Sequence, residues 1–254
     1  MIARNRPCKP YNAGIFKDMS QSAIISILIP SRGRTAELNR CLNSLEKNTD
    51  DFNRVEVIIG LDFDDRSLPA YLDIIDRRFL NARAMIRHRS DSLSDDYYNA
   101  MARMSHGDII WVLNDDCVID TEAWDEAARQ LVADIQSNFF YMDVSDTTRN
   151  FNNNGQFACF PMMSRAVYDA LGYFFHPAVR TWGADKRIHL ICSKAGCVYP
   201  APLIHVIHHR EASDETSRHM ERVFKEDDLS TINDRVDFEA EAKRLAENIR
   251  RGLT

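Results

Sequence analysis

Three hydrophobic runs in the first half of the chain each end in a cluster of polar residues, and a helix-like pattern follows each of them. The runs are AIISILI at 23–29, VEVIIGL at 55–61 and IIWVL at 109–113. Short runs rich in β-branched residues are typical of strands buried on both faces of a parallel sheet. Because strands that alternate with helices form right-handed crossovers, we predict an α/β fold with a mostly parallel sheet and helices on both faces.

The polar clusters that follow these runs are expected to meet. They are Ser31, Arg32 and Arg34, then Asp62, Asp64 and Asp65, and finally Asn114, Asp115 and Asp116. The carboxyl ends of parallel strands share one edge of the sheet, where α/β proteins bind ligands, so the clusters outline a site for a charged ligand. Adjacent carboxylates suit a hard divalent cation, which can hold a diphosphate. Alternatively, the acids only cap the next helix.

The simplest division of the chain is one compact domain with an extension at each end. We predict a loose leader at 1–22, the domain at 23–210 and a charged arm at 211–254 that is helical in its last third. Further helices are predicted at 69–79, 93–104, 121–136, 164–171 and 188–193, with strands at 84–86, 138–144, 157–163 and 197–208 and a loop at 146–156.

Some single residues carry specific expectations within these elements. In the helix at 69–79, we expect Leu72 on the inner face. We expect Asn99 to be half-exposed on its helix, and Arg87 and Arg89 to form a solvated strand end. Alternatively, Asn99 helps to shape the donor pocket, whereas the other three residues are not part of the predicted site.

Composition limits the class of protein. The 254 residues carry a net charge of −6 and are 44% hydrophobic, which argues against general nucleic-acid binding through a basic face. The six cysteines include no CxxC pair, which indicates reduced thiols. No signal peptide is visible, and the longest apolar run, at 23–30, is too short to span a bilayer. We therefore expect a cytoplasmic protein with no transmembrane segment.

Over roughly 23–209, the motifs in this order resemble inverting nucleotide-sugar glycosyltransferases of the family 2 type, which have the GT-A fold. ISILIPSRGRTAELNRCLNSL resembles their opening strand, nucleotide-contacting loop and first helix. VEVIIGLDFDD resembles the second strand, whose terminal acid recognises the base or ribose of the donor. WVLNDDC resembles the Asp-x-Asp element, and RTWGADKRIHL resembles the segment that carries the catalytic base.

The resemblance implies a UDP-sugar donor and a divalent metal, Mn²⁺ or Mg²⁺. It implies that the donor is bound by Pro30, Ser31, Arg32, Asp62, Asp64, Asn114 and Asp115. Asp116 and His208 would hold the metal, with His205 and His209 as alternative ligands. Asn114 stands where an aspartate is commoner, and because it adds no charge it weakens metal binding.

Asp185 is the candidate catalytic base, and Trp182 and Gly183 are candidates for contacting the acceptor. Alternatively, Asp185 caps the next helix. The family usually has a second acid after the base, whereas Lys186 and Arg187 stand here. This difference leaves the acceptor open among a glycan, a protein, a small molecule and a modified nucleic-acid base. The charged arm is a candidate for covering the acceptor site or for self-association.

Two other functions stay open at this point. A sugar nucleotidyltransferase has a similar layout, but it normally has a Gly-rich loop with a lysine after the first strand, whereas SRGR at 31–34 has one glycine and no lysine. A non-catalytic nucleotide- or carbohydrate-binding module is compatible with Asn114 and with the missing second acid after Asp185. Inversion is expected because one base and no obvious nucleophile are visible.

Overall fold

The computed structural model describes residues 22–78, 81–147, 157–209, 214–226 and 236–252. Its strands are β1 (Ile25–Ser31), β2 (Val55–Asp62), β3 (Asn81–Arg87), β4 (Ile109–Val112), β5 (Cys117–Ile119), β6 (Tyr141–Asp146), β7 (Met162–Ser164) and β8 (Val198–His208). Its helices are α1 (Thr35–Asn48), α2 (Leu68–Asp76), α3 (Ala100–Met104), α4 (Trp124–Ile135), α5 (Arg165–Leu171), α6 (Ala184–Ala195), α7 (Glu215–Glu226) and α8 (Phe238–Arg251). A π-helix, Leu93–Asn99, leads directly into α3.

The strands form one sheet in the order β3-β2-β1-β4-β7-β6-β8-β5. Its first half is parallel, as predicted: β1 pairs with β2 and β4, and β2 pairs with β3. Its second half is mixed, because β7 runs antiparallel to both β4 and β6, and β5 runs antiparallel to β8. The α/β fold class is confirmed, with a sheet that is only partly parallel.

The continuous hydrophobic runs reflect burial on both faces of the sheet. Successive side chains of a strand point to opposite faces. Accordingly, Ile27 of β1 belongs to a buried cluster with Leu38 of α1, whereas Leu28 belongs to a second cluster with Met101 of α3. The carboxyl ends of β1, β2 and β4 therefore emerge from a rigid, fully packed centre.

Three expectations about packing are wrong. Leu72 is 40% exposed, whereas the neighbouring Tyr71 is fully buried with its hydroxyl 3.0 Å from Ser31 Oγ. Asn99 is buried, because its side chain bonds to the backbone of residues 174–175. Arg87 binds Asp96 at 2.7 Å instead of lying free in solvent.

Parts of the predicted leader, arm and loop, and the end of the helix predicted at 69–79, lie outside the described residues. These parts are 1–21, 79–80, 148–156, 210–213, 227–235 and 253–254. The arm contributes two helices to the described structure. α8 packs on α5 and α6 with Ala242 and Leu245 buried, while α7 has Val223 as its fully buried residue. Among the helices of the described ranges, none has both the length and the apolar character needed to cross a bilayer.

Candidate active site

A cleft of about 690 Å³ opens at the carboxyl ends of the parallel strands. The predicted site residues that line it are Pro30, Ser31, Arg32, Asp62, Asn114, Asp115, Asp116, Trp182, Gly183, Asp185 and His208. Asp64 is not part of the lining, but its carboxylate binds Arg32 at 2.8 Å. The structure thus brings together the three polar clusters, the 182–185 segment and one of the late histidines.

The loop after β1 is fixed to the loop after β4 by hydrogen bonds. Ser31 Oγ donates to Asp115 Oδ2 at 2.7 Å, and the Tyr71 hydroxyl accepts from the backbone N–H of Arg34 at 2.6 Å. Gly33 has a φ of +67°, a conformation that favours glycine, and its N–H donates to Asp65 Oδ2 at 2.7 Å. The loop is therefore held in one shape before any ligand binds.

Arg32 is oriented by two carboxylates. Its Nη1 lies 2.8 Å from both Asp62 Oδ2 and Asp64 Oδ1. The hydrogen bond from Arg32 lowers the pKa of Asp64. Asp62 is buried and also accepts a hydrogen bond from the Tyr97 hydroxyl. The charge of Arg32 is therefore already balanced within the protein.

Arg34 takes the position beside the acid pair that follows β4. Its Nη1 lies 3.2 Å from Asp115 Oδ1 and 3.7 Å from Asp116 Oδ2, while its Nε and Nη2 bind Asp214 at 2.5 and 2.9 Å. Burial raises the pKa of Asp115 to about 7, an effect that Arg34 opposes and Asp116 reinforces. The single guanidinium of Arg34 thus lies close to three carboxylates. Their combined negative charge exceeds its positive charge, which favours binding of a cation.

Asp116 is paired with a histidine at the end of β8, the strand next to the edge strand β5. β5 and β8 pair with Cys117 opposite His208, and His208 Nε2 lies 3.0 Å from Asp116 Oδ1. That oxygen is buried, and no described residue donates it a hydrogen bond of ordinary geometry. His205 lies instead 3.9 Å from Asp120, and neither it nor His209 lines the cleft. Within the described ranges, no group of three or more His, Cys, Asp or Glu side chains is arranged around a metal position.

The π-helix directs two adjacent tyrosines to two strand ends. Tyr97 reaches Asp62 after β2, and the Tyr98 hydroxyl donates to Asn114 Oδ1 after β4 at 2.8 Å. Asn114 is therefore held by the protein, which leaves its amide N–H groups as donors toward the cleft.

Asp185 lies in the first turn of α6, where Gly183 is the N-cap residue with a φ of +89°. Burial raises the pKa of the Asp185 carboxyl, and the charge of Asp146 adds to this effect. Hydrogen bonds from the Lys186 N–H, at 2.7 Å, and from Cys159 oppose the rise. A carboxylate with a raised pKa in a cleft is the arrangement expected of a general base.

Sequence reasoning missed part of the cleft. α7 contributes Thr216, Ser217 and Met220 to the lining, and the Thr216 hydroxyl donates to the Arg32 carbonyl at 3.1 Å. The ring of Phe224, also on α7, lies 5.4 Å from that of Trp182. The charged arm was a candidate for covering the acceptor site, but nothing in its sequence marks these individual residues. The two tyrosines of the π-helix were missed because a π-turn has no recognisable sequence pattern.

One arginine and a threonine also escaped prediction as parts of the site, whereas Arg34 was predicted there as a member of the first polar cluster, without a role of its own. Arg89, expected in solvent, lines the cleft and lies 3.6 Å from Glu215 of α7. Thr181 lines the cleft and is buried.

Comparisons with known proteins agree with this geometry. The model of the family described as Glycosyl transferase family 2 matches residues 26–174. A search of curated proteins found no match. Among solved structures, the mannosyltransferase PcManGT from Pyrobaculum calidifontis, in complex with GDP-Man and Mn²⁺, is 12% identical, with a TM-score of 0.64 over 88% of this chain and 69% of that chain. S. aureus TarS 1-349 in complex with UDP-GlcNAc is 12% identical, with a TM-score of 0.60 over 91% of this chain and 73% of that chain. At such identities the likeness shows a shared fold.

Proposed function

Because this chain belongs to glycosyl transferase family 2 and is a glycosyltransferase, we propose that it moves a sugar from a UDP-sugar to an acceptor hydroxyl with inversion, aided by a divalent metal. The observation that carries the proposal is the convergence of Asp116, His208 and Asp185 on one cleft. The structural neighbours PcManGT and TarS were solved with GDP-Man and UDP-GlcNAc respectively, which supports a nucleoside diphosphate-sugar as the donor class.

Asp116 and His208 fit a divalent metal. Asp116 Oδ1 is a buried carboxylate oxygen to which no described residue donates a hydrogen bond of ordinary geometry, and the imidazole nitrogen of His208 faces it at 3.0 Å. An oxygen and a neutral imidazole nitrogen suit Mn²⁺, and Mg²⁺ with its preference for oxygen ligands is the alternative. When bound, the metal neutralises charge on the leaving diphosphate. The Mn²⁺ complex of PcManGT supports this choice of ion.

We assign the nucleoside of the donor to the Arg32 side of the cleft. There the base and ribose would be contacted by residues at the ends of β1 and β2, namely Pro30, Ser31, Asp62 and Asp64. Asn114 and Asp115 would contact the ribose or the sugar, since the Asn114 amide N–H groups and the Asp115 carboxylate offer opposite hydrogen-bonding roles. The hydrogen bonds that hold these side chains leave their positions fixed before binding, which lowers the entropic cost of donor binding.

Asp185 is the proposed base. It takes the proton of the acceptor hydroxyl while that oxygen bonds to the anomeric carbon, and the bond to the diphosphate breaks on the opposite face. Asp62, Asp115 and Asp116 contact cationic or imidazole side chains, whereas Asp185 contacts no such side chain among the described residues. Among the described residues that line the cleft, Asp185 is therefore the carboxylate left for proton transfer, and the pairing of the other three supports inversion rather than a nucleophilic step. Trp182 and Gly183, which precede Asp185 in the chain and line the same cleft, would contact the acceptor.

Melting temperatures measured with UDP, GDP, CDP and ADP, each with and without Mn²⁺, test the donor and the metal together. We expect UDP with Mn²⁺ to raise the melting temperature by mass action, and we expect Asp116→Ala to abolish this rise. Asp73→Ala, at an exposed position on α2, is the control that should leave it intact. A rise of equal size without metal would contradict the metal assignment, and no rise with any nucleotide would contradict the donor assignment. A product with retained anomeric configuration would contradict inversion.

A further inference from the structure

The cationic side chains that line the cleft differ in whether they contact a carboxylate. Most of them already contact a carboxylate: Arg32 contacts Asp62 and Asp64, Arg34 contacts Asp115 and Asp214, Arg89 contacts Glu215, and His208 contacts Asp116. Lys186 also lines the cleft, yet its ammonium forms no ion pair or hydrogen bond with any residue in the described ranges. A cation without a counter-charge in a binding cleft is available to a negatively charged ligand.

A second polar group in the cleft also lacks a partner. Thr181 is 5% exposed, and its Oγ1 is buried with no hydrogen-bond partner among the described residues. Buried hydroxyl groups are normally hydrogen-bonded, so an unsatisfied one that lines a cleft indicates a ligand atom at this point. Thr181 and Lys186 lie on either side of Asp185 in the chain and line the same cleft.

The backbone between these two residues favours the same ligand. Gly183, the N-cap residue of α6, has no side chain, and in the first turn of that helix the Asp185 carboxylate accepts a hydrogen bond from the Lys186 N–H at 2.7 Å. Gly183 and Ala184 both line the cleft. The amino end of a helix carries partial positive charge and binds anions. Lys186 and the Thr181 hydroxyl therefore offer a positive charge and a hydrogen-bond donor in the same cleft, beside the amino end of α6.

We propose that the acceptor carries an anionic oxygen group, a phosphate or a carboxylate, near the hydroxyl that receives the sugar, and that Lys186 and Thr181 bind this group. The inference rests on the proposed function, since it treats Asp185 as the base. Lys186 and Asp185 are neighbours in the first turn of α6 and line the same cleft, so we place the anion on the acceptor that Asp185 deprotonates. The donor diphosphate is instead assigned to the end of the cleft that holds Asp116 and His208.

The test measures binding of matched acceptor probes to protein saturated with the stabilising nucleoside diphosphate and Mn²⁺. The probes are glucose 6-phosphate, glucuronate and glucose, which differ in the anionic group. We expect glucose 6-phosphate or glucuronate, or both, to bind at least about tenfold more tightly than glucose. Lys186→Ala should weaken the anionic probe about tenfold, while Lys186→Arg should restore most of its affinity. Lys47→Ala, at an exposed position on α1, is the matched control.

The outcomes separate this inference from the proposed function. Equal affinity for glucose and both anionic probes, binding of no probe, or anion binding that survives Lys186→Ala would overturn the inference. A Lys186→Ala variant that loses nucleotide affinity but keeps probe affinity would also overturn it, because Lys186 would then bind the donor. If no nucleotide binds at all, the proposed function fails, and the same titrations without nucleotide still decide whether Lys186 binds the anion.

Discussion

Replacing Asp115 with asparagine tests the electrostatics of the cleft. Burial raises the pKa of Asp115 to about 7 from an ordinary 3.8. The folded protein thus keeps a proton on Asp115 at pH values where the unfolded chain has lost it. The stability that this group contributes is fully present below about pH 4 and is lost as the pH rises through about 7. At about 1.4 kcal/mol per pKa unit, the loss between pH 5 and pH 8 amounts to about 3 kcal/mol.

Urea unfolding of the metal-free wild type and of Asp115→Asn at pH 5 and pH 8 measures this loss. Asparagine has nearly the same shape and does not ionise, so the variant should lack this part of the pH dependence. The wild type should lose about 3 kcal/mol more than the variant between the two pH values. In a thermal experiment the corresponding difference is about 6 to 12 °C for a chain of this size.

Two further measurements test whether the pH dependence of stability comes from Asp115. Asp73→Asn, whose carboxyl is largely exposed, should follow the wild type at both pH values. With Mn²⁺ and the stabilising nucleotide present, the pH dependence should shrink, because a nearby bound cation favours the carboxylate form. If the wild type and Asp115→Asn lost stability in parallel, burial of Asp115 would not raise its pKa and the reasoning would be refuted.

Two other variants test the base and the packing. Asp185→Asn should lower the rate of sugar transfer about 10²- to 10⁴-fold while keeping the rise in melting temperature with nucleotide, and an unchanged rate would rule Asp185 out as the base. Because burial raises the pKa of Asp185, the wild-type kcat/KM should fall as the pH drops through a value above the usual aspartate range. Asp125→Ala removes the buried partner of Arg129, whose side chain is 1% exposed, and should cost about 3 to 5 kcal/mol in urea unfolding. A loss below about 1 kcal/mol would contradict that assignment.

The first half of the fold could be predicted from the sequence because burial there has a clear pattern. A strand buried on both faces is a continuous hydrophobic run, and the polar residue where the run stops marks the sheet edge. Asp62 and Asn114 were found at the sheet edge in this way. The second half offered no such pattern, since β7 has only three residues and its direction depends on its neighbours. Residues 157–161, predicted as strand, therefore do not belong to one.

Most residues of the site could be predicted from the sequence, whereas the pairing of its arginines with its acids could not. Arg32 and Arg34 stand two positions apart and look equivalent in the sequence. In the structure, Arg32 pairs with Asp62 and Asp64, while Arg34 lies beside Asp115 and Asp116. Which arginine meets which acid depends on the direction that the loop takes after β1, and this direction is set by Gly33 and by hydrogen bonds from distant segments.

Family membership resolves the competing enzyme classes that the sequence left open. The match over residues 26–174 makes the chain a glycosyltransferase rather than a sugar nucleotidyltransferase. It also argues against a purely non-catalytic binding module. Asn114 and Lys186, the two departures from the usual pattern, then become candidates for the features that distinguish this enzyme from its relatives. The experiments on Lys186 examine one of them directly.

In the π-helix before α3, the number of residues matters more for the contacts at the strand ends than the identity of any single residue. Tyr97 and Tyr98 are adjacent in the chain, yet the hydroxyl of Tyr97 donates a hydrogen bond to the end of β2 and that of Tyr98 donates one to the residue after β4. Deleting one residue to restore an α-helix would rotate the residues before the deletion by about 100° relative to the residues after it. The contact of Tyr97 with Asp62 would then be lost even if every side chain were kept. Substitutions here change single contacts, whereas a one-residue deletion would uncouple the two strand ends.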